Sequence, residues 1–411
     1  MSDETDTVDY ADIEAARERL DNPAVVRRTP VDPSTTLEGK TGASKVLLKL
    51  EHLQWTGSFK TRGAYNTIAQ RLERGDVEHV VAASAGNHAQ GVALAATSLG
   101  VGATIVMPKH APQAKIEATR GYGASVELVG QDFQAATEYA RELVAQTGAE
   151  FIHAFDDPAI VAGQGTLGVE MYEDCQTVDT VVVPIGGGGL ISGIATAFAK
   201  LRPEARVVGV QAEGAQTVVD SLDKGSPQTL DLVDTIADGI ATGGVSELTL
   251  SVIERHVDEV VTVTDAQIVD AILLLMERAK QVVEGAGAAS VGALLAGEID
   301  VTGETVMPLL CGGNLDMTML MEVVVHALTR RQQIVRVRVH IDDHPGKLAD
   351  ISAIIAEHDA NIRTVRHDRS MRDLQVGEAY LVFQIETSGA EHAARVVDSL
   401  SGQGYDVEVV N

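Results

Sequence analysis

Cysteine, aromatic residues and positive charge are all scarce in this sequence. Two cysteines among 411 residues, Cys175 and Cys311, cannot build a disulfide framework and fit a reducing compartment, so we expect a cytoplasmic protein. Aromatic residues make up 3% of the chain, so its cores must be built from alanine, valine, isoleucine and leucine. The 32 basic residues face 59 acidic ones, for a formal net charge of −27. Such a surface repels nucleic acid phosphates and anionic lipids, and we predict neither nucleic acid nor a membrane as a partner.

The acidic excess also suits a protein kept soluble in concentrated salt, where screening removes its self-repulsion. We hypothesise a halophilic origin, in which case the melting temperature should rise from low to molar KCl. Residues 1–20 are acidic and contain no apolar stretch, so we expect no secretory signal peptide. Residues 1–10 should form a flexible acidic tail.

Two stretches without Asp, Glu, Lys or Arg, 80–107 and 181–199, are long enough to cross a membrane. Glycine, serine, asparagine or proline interrupts both, so we interpret each as a buried strand–turn–helix unit. From residue 77 onwards, strand-like and helix-like segments alternate, including a predicted helix over 266–280, which indicates βαβ units and a parallel sheet. At this length the chain should hold at least two domains. We predict an α/β fold with two lobes and a cleft between them.

The pattern changes after Arg330. Residues 331–411 predict the order β-α-β-β-α-β, a ferredoxin-like unit. RNA-binding modules can share this topology, but they need exposed aromatic residues and a basic face. This segment offers neither, so an RNA-binding role is not favoured.

One lysine is distinguished by its neighbours. Ser58-Phe59-Lys60 precedes a helix-like run, 61–72, in a stretch that also holds the single tryptophan, Trp55. A lysine that forms a Schiff base must first lose its proton, and partial burial lowers the amine pKa enough for that. From this motif alone, a solvated lysine at a helix start is an equally good interpretation.

Four consecutive glycines, Gly186–Gly189, follow the apolar strand 181–184 and precede a helix that begins near Leu190. Glycines let backbone N–H groups approach a phosphate closely, and a helix N-terminus favours negative charge. The loop lacks the Gly-Lys-Ser/Thr of a Walker A motif and the acidic residue of a dinucleotide site. A tight turn is the structural alternative, but four glycines are more than a turn requires.

A second strand-to-helix turn spans Ser84 to Gly91. Its backbone N–H groups and the side chains of Ser84 and Asn87 suit an amino-acid carboxylate. His88 is better interpreted as a satisfied core histidine than as a catalytic residue. Cys311 ends a strand and precedes two glycines; a bare cysteine in such a place is most often an inert buried residue.

Together these motifs resemble the fold-type II pyridoxal-phosphate (PLP) enzymes, in particular the threonine/serine dehydratase family. The resemblance runs from about residue 11 to 330 and follows the family's motif order. It implies a PLP-dependent catalytic domain at 1–330, with a smaller lobe at about 53–153. The implied reaction releases 2-oxobutanoate and ammonia from L-threonine, or pyruvate from L-serine. The segments that carry the resemblance are Ser58-Phe59-Lys60-Thr61-Arg62-Gly63-Ala64, Ser84 to Gly91, Gly186 to Leu190 and Cys311-Gly312-Gly313-Asn314.

The resemblance also implies roles for single residues. Lys60 would hold PLP and later take the Cα proton, and the glycine loop would bind the cofactor phosphate. The cofactor-binding residues are then Phe59, Lys60, Asn87, Gly186, Gly187, Gly188, Gly189, Leu190, Glu284 and Cys311. The substrate-binding residues are Ser84, Ala85, Gly86, Asn87 and His88.

Cys311, Ala85 and Glu284 bear on the type of reaction. By resemblance, Cys311 faces the PLP ring nitrogen, where a neutral thiol leaves that nitrogen unprotonated. The weaker electron sink favours β-elimination over transamination. Serine racemases carry a serine where this chain has Ala85, which argues against racemisation. Glu284 matches a glutamate near the cofactor in relatives, but a solvated acid at a helix start is nearly as good an interpretation.

Residues 331–411 resemble the ACT regulatory domain through the segments Asp342–Leu348 and Ala360–Ile362. The resemblance implies an amino-acid effector and a homo-oligomer, either a dimer or a tetramer. We hypothesise feedback by isoleucine or valine, because 2-oxobutanoate is a precursor in isoleucine biosynthesis. The expected effector-binding residues are Asp343, Pro345, Gly346 and Asn361.

Two other functions stay open at this point. One is another PLP enzyme of the same fold, such as a serine racemase or a threonine synthase. The other is a catalytically inactive amino-acid sensor, which the intact Lys60, Asn87, glycine loop and Cys311 disfavour. We predict no metal site, because no further cysteine or histidine pair completes a ligand set around His340 and His344.

Overall fold

The computed structural model describes residues 8–75 and 77–410, and the chain divides into two compact units between Leu315 and Asp316. Residues 1–7 of the predicted tail lie outside the described residues. Residues 8–10 do not continue a tail, because Val8 is buried and the first helix begins at Tyr10. Val8 and Ile13 join an apolar cluster with Val161, which fixes this segment to the first unit.

The helices and strands of the described residues are numbered in chain order. The helices are α1 (Tyr10–Arg19), α2 (Thr35–Thr41), α3 (Lys60–Arg74), α4 (Asn87–Ser98), α5 (Gln113–Gly121), α6 (Phe133–Thr147), α7 (Pro158–Asp174), α8 (Gly189–Leu201), α9 (Thr217–Lys224), α10 (Glu247–His256), α11 (Asp265–Leu274), α12 (Gly285–Ala296), α13 (Met317–Arg330), α14 (Lys347–Glu357) and α15 (Ala390–Gly402). The strands are β1 (Val31–Pro33), β2 (Lys45–Lys49), β3 (His79–Ala83), β4 (Gly102–Met107), β5 (Ser125–Leu128), β6 (Glu150–Phe151), β7 (Thr180–Pro184), β8 (Arg206–Ala212), β9 (Glu259–Val263), β10 (Thr305–Pro308), β11 (Ile334–Asp342), β12 (Asn361–Asp368), β13 (Glu378–Glu386) and β14 (Asp406–Val409).

The first unit contains two sheets flanked by helices. The larger has the strand order β1-β2-β10-β7-β8-β9 and is parallel except for β1. The smaller is parallel throughout, in the order β5-β4-β3-β6, and its strands fall within 53–153. Two helix-flanked parallel sheets confirm the predicted α/β fold.

The two uncharged stretches are buried strand–turn–helix units, as predicted. The first forms β3, α4 and β4, and the second forms β7 and α8. Every residue of β7 is buried, which explains the continuous apolar run: a parallel strand covered by helices has no solvent face. No helix in residues 8–75 and 77–410 is both long and apolar enough to span a bilayer.

The second unit contains α13 and an antiparallel sheet in the order β12-β13-β11-β14. Alternate residues of β11 and β13 are buried, and they form one apolar core with α14 and α15. The sequence order β11-α14-β12-β13-α15-β14 confirms the predicted ferredoxin-like arrangement.

Candidate active site

One cavity of about 1110 Å³ collects every residue that the sequence placed at the catalytic centre. The cavity lies where the chain leaves β3, β7 and β10, at the carboxyl ends of parallel strands. Open α/β sheets bind ligands at this edge. The predicted residues in its wall are Phe59, Lys60, Ser84, Ala85, Gly86, Asn87, His88, Gly186, Gly187, Gly188, Gly189, Leu190, Glu284 and Cys311.

Lys60 is the first residue of α3, and its side chain lines the cavity. Its Nζ donates a hydrogen bond to the Ala154 carbonyl oxygen, 3.1 Å away, and lies 5.0 Å from the centroid of the Phe59 ring. Desolvation lowers the pKa of Lys60 to about 8, against the opposing effects of Cys311 and Glu284. About a tenth of the amine is therefore neutral at pH 7. Lys60 does start a helix, but its amine is desolvated rather than solvated.

Five helices begin at the cavity wall without a side-chain cap. Elsewhere in the first unit, α1, α6 and α7 are capped by the aspartates at positions 9, 132 and 157. An uncapped N-terminus leaves backbone N–H groups available to an anion and adds the positive end of the helix dipole. The cavity is therefore built to hold more than one anionic group. The uncapped helices at the wall are α3, α4, α5, α8 and α12, and their N-cap residues are Phe59, Gly86, Pro112, Gly188 and Glu284.

The glycine loop is packed too closely to accept side chains. Gly188 has a φ of +89°, a left-handed conformation that favours glycine. A Cβ at Gly187 would lie 2.2 Å from the Phe155 ring, and one at Gly186 would lie 3.1 Å from the Ile240 Cα. The backbone of this loop is therefore itself the cavity wall that leads into the N-terminus of α8.

Asn87 and Glu284 form a buried polar pair. Asn87 Nδ2 donates to Glu284 Oε1 across 2.6 Å, and Glu284 is 9% exposed. Burial raises the pKa of Glu284 to about 7, and the hydrogen bond from Asn87 opposes that rise. The alternative of a solvated helix-start acid is wrong, because Glu284 precedes α12 but is buried. Cys311 is 2% exposed, and burial raises the pKa of its thiol, so this group is neutral.

The loop before α4 combines a backbone turn with an inert histidine. Ser84 Oγ accepts a hydrogen bond from the Gly86 N–H at 3.1 Å. His88 Nε2 lies 3.0 Å from the Ile152 carbonyl oxygen, and burial lowers the pKa of His88 to about 3. This is the environment of a satisfied, neutral core histidine. Ala85 lines the cavity with a methyl group, which cannot carry a proton.

A buried ion network holds the first turn of α3. Arg62 pairs with Glu51 at 2.7 Å and with Glu170 at 2.8 Å. Lys49, which is fully buried, pairs with Glu170 at 2.6 Å and with Asp174 at 2.8 Å. The network joins β2, α3 and α7, so the helix that carries Lys60 is fixed to both neighbouring elements.

Residues 24–312 match the family described as pyridoxal-phosphate dependent enzyme, and residues 329–404 match the ACT domain. The chain belongs to the pyridoxal-phosphate dependent enzyme family. It is similar to the L-threonine ammonia-lyase of Thermotoga maritima, with 44% identity over 399 residues, which cover 97% of this chain and 98% of the relative.

Solved structures agree with this family. The processed form of threonine deaminase isoform 2 from Solanum lycopersicum has a TM-score of 0.72 at 36% identity, covering 77% of this chain and 86% of that one. Maize serine racemase has a TM-score of 0.73 at 34% identity, covering 79% and 99%. Lyases and racemases thus share the catalytic fold, and residues in the cavity must decide between the two reactions.

The cavity fits the family's cofactor. Lys60 supplies an amine with a lowered pKa, and the side-chain-free loop at Gly186–Gly189 leads into an uncapped helix that suits a phosphate. The neutral Cys311 thiol and the buried pair of Asn87 and Glu284 line the same cavity and would supply polar contacts to a bound cofactor ring. PLP, when bound, supplies an electron sink that stabilises negative charge at the Cα of an amino acid.

In the ACT domain, three of the four expected effector residues lie together. Asp343, Pro345 and Gly346 occupy the turn between β11 and α14, where Gly346 is the N-cap with a φ of +104°. Asp343 pairs with His367 at 3.1 Å and with Arg369 at 2.6 Å. The hydrogen bond from Arg369 lowers the pKa of Asp343, so this carboxylate is charged and already engaged.

Asn361 does not join that turn. In the strand register, Asn361 of β12 lies opposite Glu386 of β13, and Glu386 also lies opposite Ile334 at the start of β11. Asp342, at the end of β11, lies opposite Glu378 instead. Because β12 is parallel to β11 with β13 between them, Asn361 lies at the other end of the sheet, roughly 26 Å away. The four expected effector residues therefore do not form one cluster within a single chain, and their role in effector binding stays a prediction. Within the described residues, no group of three or more His, Cys, Asp or Glu side chains is arranged to hold a metal ion.

Several residues at the site were not foreseen from the sequence. Phe155 packs against the glycine loop and contacts the His153 ring, with centroids 4.8 Å apart. Lys115 pairs with Asp238 across 3.4 Å at the cavity wall. No motif marks these residues. Asn314, which donates to Asn87, could have been found, because it follows Cys311 and two glycines in a recognised segment.

Proposed function

We propose that this protein is an L-threonine ammonia-lyase that converts L-threonine to 2-oxobutanoate and ammonia, and L-serine to pyruvate and ammonia. The observation that carries the proposal is the desolvated Lys60 amine in a cavity bounded by five uncapped helix N-termini. The names of the full-length Thermotoga maritima relative and of the solved tomato structure support the same reaction.

Lys60 has two tasks in this proposal. Its neutral amine would hold the cofactor covalently, and Nζ would accept the Cα proton of the substrate. The pKa of about 8 keeps part of the amine unprotonated and still leaves it basic enough for proton transfer. The Ala154 carbonyl, 3.1 Å from Nζ, holds the amine in the cavity.

The helix N-termini take the anionic groups. The N-terminus of α4, with Ser84, Ala85, Gly86 and Asn87, binds the substrate carboxylate, since two oxygens can accept from backbone N–H groups there. The loop from Gly186 to Leu190 binds the cofactor phosphate, with Phe59 on the adjoining wall. His88 supports the α4 turn through its bond to Ile152 rather than reacting.

Cys311 and Ala85 favour elimination of water over the competing reactions. Cys311 would place a neutral thiol rather than a carboxylate beside the cofactor ring, and a ring without a carboxylate partner would be a weaker electron sink, which disfavours transamination. Ala85 offers no acid or base that could return a proton to the second face of Cα. Racemisation, the reaction of the maize relative, is disfavoured for this reason.

The ACT domain binds an amino-acid effector in this proposal, with isoleucine or valine as the candidates. Asp343, Pro345 and Gly346 form one half of the site. In this proposal Asn361, which lies at the far end of the same sheet, would complete the site from a second copy of the chain in a homo-oligomer. The two free cysteines fit work in the cytoplasm. Deleting residues 331–411 should abolish the response to isoleucine and valine while lyase activity continues.

The decisive experiment follows all products in one reaction. Purified holoenzyme in molar KCl receives L-threonine or L-serine, and 2-oxoacid, ammonia and the D-amino acid are measured together. The proposal expects 2-oxoacid and ammonia in equal amounts with little D-amino acid. D-serine as the main product would make the protein a racemase. The absence of both products and of bound PLP absorbance would instead favour an amino-acid sensor.

A further inference from the structure

The side chain of Asn314 occupies a position in which its orientation is fixed. Asn314 Nδ2 lies 2.7 Å from the Thr56 carbonyl oxygen and 2.7 Å from Asn87 Oδ1. A backbone carbonyl can only accept a hydrogen bond, so the nitrogen of Asn314 must face Thr56. The second proton of the same nitrogen then points to Asn87, which must present its oxygen.

The orientation of the Asn314 amide, fixed by Thr56, determines the orientation of the Asn87 amide. With its oxygen turned to Asn314, Asn87 presents Nδ2 to Glu284 Oε1 at 2.6 Å, and both residues line the cavity. The two ends of an amide are nearly equal in shape, so packing does not choose between them. Glu284 does not choose either, because a carboxyl with a pKa of about 7 can donate or accept.

The surroundings of Asn314 leave room for its amide and hold its backbone. Gly57 has a φ of +72°, and a Cβ there would lie 2.5 Å from Asn314 Oδ1. The next residue back, Gly313, donates its N–H to the Gly57 carbonyl oxygen at 2.8 Å. Asn314 thus ties the turn just before Ser58-Phe59-Lys60 to the first residue of α4.

We propose that Asn314 is a positioning residue that fixes the amide orientation of Asn87 and so keeps an N–H donor directed at Glu284 and the cofactor. This inference rests on the assignment of the cavity as the PLP site of the proposed function. Asn314 lines none of the cavity itself and acts through Asn87. Without Asn314, neither orientation of the Asn87 amide is fixed, and the flipped orientation turns an acceptor oxygen to Glu284 and the cofactor.

Two substitutions separate orientation from packing. Asn314→Asp keeps the shape but has no proton for Thr56 or Asn87, so it drives Asn87 to flip. Asn314→Ala removes the side chain and leaves the orientation of Asn87 unset. We expect PLP affinity of the apoprotein to fall about tenfold in Asn314→Ala and further in Asn314→Asp, with altered absorbance of the bound cofactor. A role in packing alone predicts the reverse order, because aspartate is the closer match in shape.

Asn66→Ala is the matched control. Asn66 is 1% exposed, and its Nδ2 donates to the Ala159 carbonyl oxygen at 2.7 Å, but it does not contact Asn87 or line the cavity. We expect this variant to lose thermal stability and to keep PLP affinity and absorbance. An equal loss of PLP affinity in Asn66→Ala, or an Asn314→Asp protein closer to wild type than Asn314→Ala, would overturn the proposal.

Two provisions keep the test decisive. If Asn314→Asp does not fold, Asn314→Ser replaces it, since its hydroxyl keeps one donor. A PLP affinity of Asn314→Ser that lies between the affinities of wild type and Asn314→Ala supports the inference. A PLP affinity equal to that of Asn314→Ala contradicts it. PLP binding is read without substrate. A wild type that binds PLP but releases no 2-oxobutanoate would therefore overturn the proposed function and leave the role of Asn314 testable.

Discussion

Replacing Glu170 with glutamine should destabilise the protein by roughly 3 kcal/mol at neutral pH, because two buried cations lose the charge between them. Glu170 Oε1 lies 2.6 Å from Lys49 Nζ, and Oε2 lies 2.8 Å from Arg62 Nη2. Lys49 is fully buried and Arg62 is 3% exposed, so solvent compensates neither. Glutamine keeps the shape of the side chain and removes only the charge.

The magnitude follows from the pKa of Glu170. Burial alone would raise the pKa, but Arg62 and Lys49 outweigh it and lower the pKa from 4.5 to about 2. At about 1.4 kcal/mol for each tenfold change in proton affinity, this lowering corresponds to roughly 3 kcal/mol. The pKa is lower in the folded chain than in the unfolded one. The stabilisation is therefore complete above about pH 4.5 and is lost as the pH falls towards 2.

Urea unfolding, followed by the fluorescence of the single tryptophan, Trp55, measures the free energy of unfolding of wild type and Glu170→Gln. Trp55 reports on the network because its neighbour Gln54 donates to Glu51 at 3.3 Å. The stability difference between wild type and Glu170→Gln should shrink from roughly 3 kcal/mol at pH 7 to roughly 2 kcal/mol at pH 3.5. Glu173→Gln on the same helix is the control. Glu173 pairs only with the half-exposed Arg17 and Arg28, so its loss should cost less than about 1 kcal/mol. A difference that stays constant with pH, or an equal cost in Glu173→Gln, would refute the role given to charge.

Three further predictions concern the cavity. The rate of PLP attachment to the apoprotein should fall about tenfold for each pH unit below about 8 and be constant above that pH, because only the neutral Lys60 amine reacts. Stopped-flow absorbance measures this rate. A rate that does not change between pH 6 and 9 would contradict the lowered pKa. Ala85→Ser should add a hydroxyl at the substrate loop and raise the ratio of D-serine to pyruvate formed from L-serine at least about tenfold, as measured by chiral chromatography. An unchanged ratio would show that Ala85 does not decide between elimination and racemisation. Cys311→Asp should stabilise a protonated ring nitrogen and so raise the share of turnovers that end in pyridoxamine phosphate, which is detected by its absorbance. An unchanged share would show that Cys311 does not set the reaction type.

The alternation of strands and helices predicted the α/β fold, and the resemblance to the fold-type II PLP enzymes predicted which residues share the site. Uncharged runs identify strands covered on both faces, and parallel strands bring their carboxyl ends to one edge. Lys60, Asn87, Gly186–Gly189 and Cys311 therefore meet in one cavity although they span about 250 residues of sequence. Helix ends were less predictable: the helix expected over 266–280 is α-helical only to Leu274 and continues as a π turn, Leu275–Ala279, before Lys280 at a φ of +59°.

What escaped prediction depends on contacts between distant segments. Lys49 ends an apolar strand, and from sequence it resembles a surface lysine whose ammonium reaches solvent. It is nevertheless fully buried, because Glu170 and Asp174 of α7 pair with its ammonium. Helix α12 consists of glycine, alanine, Ser290 and a few larger apolar residues, and it is buried on all sides from Gly285 to Leu294, so it shows no amphipathic period. The separation of Asn361 from Asp343 follows from the strand order of the ACT sheet, which no local pattern encodes.

The release of 2-oxobutanoate from L-threonine by wild type and by Lys60→Ala tests the central claim most directly. Both proteins are supplied with PLP in molar KCl, and the product is followed by coupled reduction of the 2-oxoacid. The account predicts steady product formation by wild type and its loss in Lys60→Ala, with Asn66→Ala retaining activity. Product from wild type and Lys60→Ala at similar rates, or none from wild type carrying bound PLP, would contradict the claim that this cavity is a threonine ammonia-lyase site.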